Sequence, residues 1–454
     1  MGWQRQNFNN KDIGGQVFMN PNAAAIEQGT GQRIAVIGAG ISGLASAYLL
    51  ARKHQVVLFE SAPTLGGHAN TVEIAPEGVP FPVDTGFLVF NDWTYPNLIA
   101  LFEELKVETY DTDMSFGVSM DEGSFEWAGT NLDTVFAQRK RLLQPSFLGM
   151  LRDILRFNRS AHANLAACEG RPVTLRQLLE EGGYGVLFGD AYLIPMAAAI
   201  WSSSPSDILD FPAATFLRFC INHGLLQVNN RPRWRTVRGG SREYVRRIAA
   251  TLDDVRLGSR LTSVTRNEQG VLVRSGGAEP REEQFDAVVF ATHAPQTLAL
   301  LQDATIEEHQ VLSAVRYQAN TAWLHSDVSL MPQLDKVWSA WNYLGSRHSD
   351  GSRAVCVSYW LNRLQDLPCK TDIVLTLNPP QPPSPATVMG RFDYEHPVFD
   401  QPAIDAQRRL PEIQGKHRAW FAGAWTGYGF HEDGLKSALR VIRDFGVTPD
   451  WASL

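Results

Sequence analysis

Apolar runs divide this chain into short strand-like and longer helix-like segments, and their order predicts an α/β fold. Residues 33–37 (RIAVI) form a β-branched run without polar alternation, which suits a strand buried on both faces. Residues 44–51 then place apolar side chains at helical spacing, and residues 56–59 (VVLF) read as a second buried strand. Near the other end, residues 419–424 (AWFAGA) read as a further strand, followed by helical periodicity over 435–445 with Asp433 as its N-cap. In between, residues 255–264, 271–276 and 285–295 predict a three-stranded excursion and a return to the main sheet. Residues 142–165 predict an amphipathic helix carrying Arg152, Arg156 and Arg159, with a surface helix or a membrane-interface helix as alternative fates. Residues 338–345 (WSAWNYLG) and 357–362 (VSYWLN) alternate like strands, and residues 378–385 form a proline-rich loop. The first 30 residues are polar, lack the apolar core of a signal peptide, and read as a flexible leader.

The chemistry starts where the first strand meets the first helix. Gly38, Gly40 and Gly43 give G-x-G-x-x-G, with Ile41 and Ser42 in the opening turn of the helix. Such glycines provide a tight turn, room for a pyrophosphate against the backbone, and close packing of helix on strand. The helix N-terminus offers unpaired N–H groups to phosphate oxygens. Glu60, with Ser61 next to it, ends the second strand 20 residues beyond Gly40, where a carboxylate can accept hydrogen bonds from ribose hydroxyls. Strand, helix and acid at these spacings predict a dinucleotide site. Gly66 and Gly67 add a second glycine turn, and Asp84 and Gly86 follow an extended segment.

Composition narrows the partners. The formal net charge of −7 excludes a nucleic-acid role, which needs a basic surface. Four separated cysteines, with no C-x-x-C, give neither a zinc site nor a disulfide framework and fit a reducing, cytoplasmic setting. No run approaches 18 apolar residues, so no transmembrane helix is expected. A chain of 454 residues has room for two domains.

The motifs LGGHANT and DTGFLVF, after the first glycine clamp, resemble the L-G-G-R-x-x-T and D-x-G motifs of the flavin-containing amine oxidase superfamily, with His68 at the position of the usual Arg. GFHEDGLKSA, YLIPMAAAIWSSSP and RPRWRTVRGGSREYV carry the resemblance further. They are similar to the amine-oxidase-like domain at the N-terminus of plant cyclopropane-fatty-acid synthases and to its stand-alone bacterial relatives, over about residues 31–445.

That resemblance implies a Rossmann-type FAD-binding domain of the glutathione-reductase and amine-oxidase kind, built from residues 31–115, 225–300 and 405–445. An inserted α+β substrate domain would comprise 116–224 and 301–404. It implies non-covalent FAD held by Gly38, Gly40, Ile41, Ser42, Gly43, Glu60, Ser61, Gly66, Gly67, His68, Asp84, Gly86, Leu261, Gly423, Asp433, Gly434 and Leu435. Trp201, Trp234, Trp341 and Tyr428 are the expected substrate-pocket residues; His223 and Arg231 are further candidates, with core packing the alternative for Trp234 and a surface position for Arg231. His431 takes the position of a flavin-facing aromatic and is the expected catalytic residue, able to pass a proton. The Lys that amine oxidases keep near the flavin is missing around residues 320–322. No metal site is expected.

The resemblance further implies a fatty acyl or phospholipid substrate that is desaturated, oxidised or isomerised beside a lipid methyltransferase or cyclopropane synthase, with peripheral membrane contact. A flavin amine oxidase and a non-catalytic flavoprotein partner of a lipid-modifying enzyme stand as alternatives.

Overall fold

The computed structural model of the protein describes residues 31–201, 205–227, 229–277, 280–347 and 353–453. The expected leader, residues 1–30, lies outside them.

A five-stranded sheet carries the nucleotide motif. Its strands, in spatial order, are Asp254–Arg256, Gln55–Phe59, Arg33–Ile37, Ala287–Phe290 and Ala419–Phe421, and every neighbouring pair is parallel. Ile34, Ala35 and Val36 are fully buried, as the β-branched run requires for a strand covered on both faces. The helix Ile41–Leu50 packs on one face, together with Pro96–Glu104, Arg242–Ala249 and the last helix, His431–Asp444. The three-stranded antiparallel sheet of Leu261–Asn267, Gly270–Ser275 and Arg281–Phe285 covers the other face.

A seven-stranded mixed sheet organises the second half. Its order is Val388–Pro397, Tyr317–His325, Val374–Leu377, Arg353–Trp360, Trp341–Arg347, Phe116–Met120 and Phe125–Ala128. Only the pairing of Trp341–Arg347 with Phe116–Met120 is parallel. Helices Pro145–Cys168, Ile194–Trp201 and Ala213–Asn222 form an apolar layer beside it.

Two sequence expectations shift. The last helix starts at His431 rather than after Asp433, with Phe430 at the N-cap. Asp433 is the third helical residue, and its carboxylate reaches back to accept the Phe430 N–H at 3.0 Å. An acid at the third helical position accepts the N–H of the N-cap residue, whereas an N-cap acid accepts N–H groups of the first turn; both place an acid at the helix start, so sequence alone does not separate the two. Residues 255–264 are not one strand. Asp254–Arg256 joins the parallel sheet, Gly258 turns the chain at φ +60°, and a new strand starts at Leu261. The Ser259 N–H donates to the Glu60 carbonyl and the Gly258 N–H to that of Ala62, which pins this turn beside the end of the nucleotide strand.

Candidate functional site

One cavity of about 990 Å³ runs from the glycine turn into the second half. The glycines at its first end have distinct jobs. Gly38, at φ +99°, passes so close to the next strand that a Cβ would lie 2.8 Å from the Ala291 carbonyl oxygen. A Cβ on Gly43 would lie 1.8 Å from the Gly38 oxygen, so this glycine closes the turn rather than facing the cavity. Gly40 lines the cavity, and a Cβ there would meet nothing within 4 Å. That open wall is where a pyrophosphate would approach the backbone. No side chain caps the helix at Gly40. Gly67 brings the second glycine turn to the first, with a Cβ position 3.2 Å from the Gly40 Cα.

Glu60 stands at the nucleotide end. One carboxylate oxygen accepts the Ala39 N–H and the other the Ala62 N–H, each at 2.8 Å. These bonds fix the carboxylate toward the cavity it lines with Ser61, Ser259, Arg260 and Leu261.

Histidines collect where the two halves meet. His431 is buried, stacks on Phe87 at a centroid distance of 3.8 Å, and lies 3.2 Å from the Tyr244 hydroxyl through Nε2. Removal from water pushes its pKa down to about 3, so it is neutral near pH 7. His68 stacks on Tyr394 and lies 5.3 Å from His396, centroid to centroid. Desolvation holds His68 well below the usual histidine range, reinforced by His396, His293 and His431. His396 is pushed down to about 4 by the same desolvation, then by His293. A neutral His68 cannot fork onto phosphate as an arginine would. Its Nε2 has no protein partner, and neither has the Trp341 Nε1; both side chains line the cavity.

Gly38, Gly40, Ile41, Ser42, Glu60, Ser61, Gly66, Gly67, His68, Gly86, Leu261, Gly423 and His431 line one continuous wall. Trp201, Trp234, Trp341, Tyr428 and His223 line the deeper part. Five residues expected at the cofactor are not among those that line the cavity. Gly43 closes the turn. Asp84 is buried and accepts the Ser241 N–H and hydroxyl, and removal from water raises its pKa to about 6. Asp433 caps its helix. Gly434 lets that helix seat on the nucleotide helix, since a Cβ would meet Ile41 and Ser42 at 2.8 Å. Leu435 is core. Arg231 is exposed and bonds the Gln227 carbonyl, away from the cavity.

Sequence reasoning missed Tyr394 and His396. Residues 391–396 (RFDYEH) alternate charged and aromatic side chains. That period of two is the signal of a strand with one face toward a pocket. Phe219 and Phe430, stacked at 5.1 Å, were not singled out either. Trp323, Trp338 and Trp360 stay off the cavity wall.

The family model for flavin-containing amine oxidoreductases matches residues 41–322. A carotenoid φ-ring synthase of Chlorobaculum tepidum is 33% identical over 129 residues, 26% of this chain but only 20% of that protein. Two solved structures share the fold across most of the chain. A CLA-producing fatty acid isomerase from P. acnes superposes with a TM-score of 0.63 at 14% identity, covering 92% of this chain and 99% of that one. Cyclohexylamine oxidase from Brevibacterium oxydans gives 0.61 at 17% identity, covering 92% and 100%.

Proposed function

The chain belongs to the flavin-containing amine oxidoreductases and is an FAD-dependent oxidoreductase, and from that premise we propose that it acts on the hydrocarbon chain of a lipid. The carrying observation is the charge of the cavity wall. Among the described residues, Glu60, Arg260 and Glu395 are the Asp, Glu, Lys or Arg side chains that line it. Glu60 and Arg260 sit at the nucleotide end, and Glu395 is 3.0 Å from His293. The deeper part includes Trp201, Phe219, Trp234, Trp341, Tyr359 and Leu375, with Tyr428 and a His223 that burial pushes down to about 4. A protonated amine or a free carboxylate there would lose its hydration without a counter-charge, a cost of several kcal/mol. An alkyl or polyene chain has no such cost.

FAD fits the nucleotide end: Gly40 leaves the backbone open, Glu60 lines the cavity where a ribose would lie on this reading, and the helix N-terminus is uncapped. When bound, it supplies hydride chemistry. The protein's share is to place the chain and exclude water, through a wall of rings in mutual contact. His431, held neutral beside Tyr244, is the residue proposed to handle a proton at that junction. The expected FAD is non-covalent, and acid precipitation releases the yellow colour into the supernatant on this reading.

The names of two similar proteins, a fatty acid isomerase and a carotenoid ring synthase, support a long hydrocarbon substrate. The motif resemblance supports a lipid methyltransferase or cyclopropane synthase as partner. The test is anaerobic titration of the FAD-loaded protein with lipid fractions, following flavin absorbance, with mass spectrometry of the lipid to catch isomerisation. Bleaching or product formation with acyl or polyene lipids is expected. Bleaching by simple amines, with peroxide released once oxygen is admitted, would overturn the reading in favour of an amine oxidase. Flavin inert to both would leave a non-catalytic flavoprotein.

A further inference from the structure

We propose that the face formed by the turn Arg139–Leu143 and the helix Pro145–Cys168 docks on an anionic lipid bilayer. The turn runs into the helix through Gln144, whose carbonyl accepts the N–H groups of Phe147 and Leu148. One helix stripe, with Phe147, Met150, Phe157 and Ala161, is buried against the helix Ala213–Asn222. The opposite stripe is Leu148, Arg152, Leu155 and Arg159, spaced four, three and four residues apart, so these side chains stack along one line. Leu148 and Leu155 are 44% and 46% exposed, and Leu143 at the helix entrance is 90% exposed. Val186, also exposed, sits on a short helix packed against this one.

Cations outnumber acids on this face, although the exposed Asp133 pairs with Arg139 and Asp153 lies 3.4 Å from both Arg152 and Arg156. Residues 139–168 hold six basic side chains, Arg139, Lys140, Arg141, Arg152, Arg156 and Arg159, and one acid, Asp153. The Asp153 side chain is buried and accepts the Gly185 N–H, so it offers nothing to solvent. Arg141 lies over the Phe125 ring and Arg156 over Tyr184, which fixes both at the edge of the face. Such a cluster is unexpected on a protein of net charge −7. Leucines between cations match a bilayer boundary, where alkyl side chains enter the acyl region and guanidinium groups stay with anionic headgroups. The helix Ala213–Asn222 beneath it carries Phe219 into the cavity, so docking sets the cavity one helix away from the bilayer. That the bilayer also delivers the substrate rests on the lipid-chain reading above. No helix among the described residues is long and apolar enough to cross a membrane, so this contact is made from one side.

The test is sedimentation of the FAD-loaded full chain with vesicles of phosphatidylcholine alone or of phosphatidylcholine mixed equally with phosphatidylglycerol. Binding to the mixed vesicles, weakened by salt, is expected. Arg152→Glu with Arg159→Glu, and separately Leu143→Asp with Leu148→Asp, should each weaken it about tenfold or more, with flavin absorbance and unfolding temperature unchanged as the check on folding. Equal binding to both vesicle types, binding that survives both variant pairs, or no binding to any vesicle overturns the proposal; the last would leave the face to an acidic protein. Sedimentation needs no turnover. Flavin reduction by detergent-dispersed lipid needs no bilayer. Failure of either reading therefore shows without the other.

Discussion

The two ends of the cavity are built from different materials. Around Gly38, Gly40 and Gly67 the wall is backbone, and its shape depends on side chains being absent. Around Trp201, Phe219 and Trp341 the wall is side chain, supplied by elements far apart in the chain. A backbone wall tolerates almost no substitution, because a single Cβ fills the space the ligand or the next turn requires. An aromatic wall can be reshaped in small steps. Cofactor binding is therefore concentrated in a few positions, whereas substrate selection is spread over many.

Substitutions at the glycines test this contrast hardest. Gly43→Ala puts a methyl 1.8 Å from the Gly38 oxygen, and the expected result is loss of both flavin and soluble folded protein. Gly40→Ala has room in the protein itself, so it should fold and lose only FAD; absorbance of the purified proteins and circular dichroism separate the two. If Gly40→Ala retained full flavin, the open wall would not be the pyrophosphate approach.

At the junction, His431→Phe should keep FAD, because the ring volume beside Phe87 is preserved. Turnover of the lipid substrate should fall by about 10²–10⁴-fold, the usual contribution of a proton-transfer group. Unchanged turnover would make this residue part of the aromatic wall. Glu60→Ala removes a charged hydrogen bond to the ribose, about 1.5–3 kcal/mol, or roughly 10–150-fold in FAD affinity. Its bonds to the Ala39 and Ala62 N–H groups also disappear, so equilibrium dialysis should be read beside the unfolding temperature.

The smallest effect is on pH. His396 and His223 are pushed down to about 4 and His431 to about 3. Unfolded histidines titrate near 6.5, so between pH 6.5 and 4 the unfolded chain binds more protons and folding stability falls as pH falls. Asp84 and Asp433, raised to about 6 by removal from water, act in the opposite direction over pH 6 to 4. The histidines outnumber them, so the unfolding temperature should decline modestly from pH 6.5 to 4. A rise over that window would mean the carboxylates dominate.

The nucleotide end was legible because its chemistry is local. Gly38 to Glu60 is a single strand–turn–helix–strand unit, and the spacing of its glycines is dictated by one turn. The deeper cavity was legible only in part. Trp201, Trp234 and Trp341 were named, yet nothing in the sequence separates them from Trp338 and Trp360, which pack edge to face with each other off the cavity wall. Asp84 and Asp433 are expected at the cofactor because they lie in the right motifs, and only the fold shows that they hydrogen-bond Ser241 and the Phe430 N–H without lining the cavity.

By itself the sequence determined the α/β class and the dinucleotide turn, since periodicity and steric demands within one turn act over a few residues. Tertiary structure alone decided that residues 391–396 turn Tyr394 and His396 toward His68, that burial lowers the pKa of His68, His396 and His431, and that Glu60, Arg260 and Glu395 are the charged side chains lining the wall among the described residues. Those outcomes depend on which distant segments exclude water together, and exclusion of water is a property of the assembled cavity.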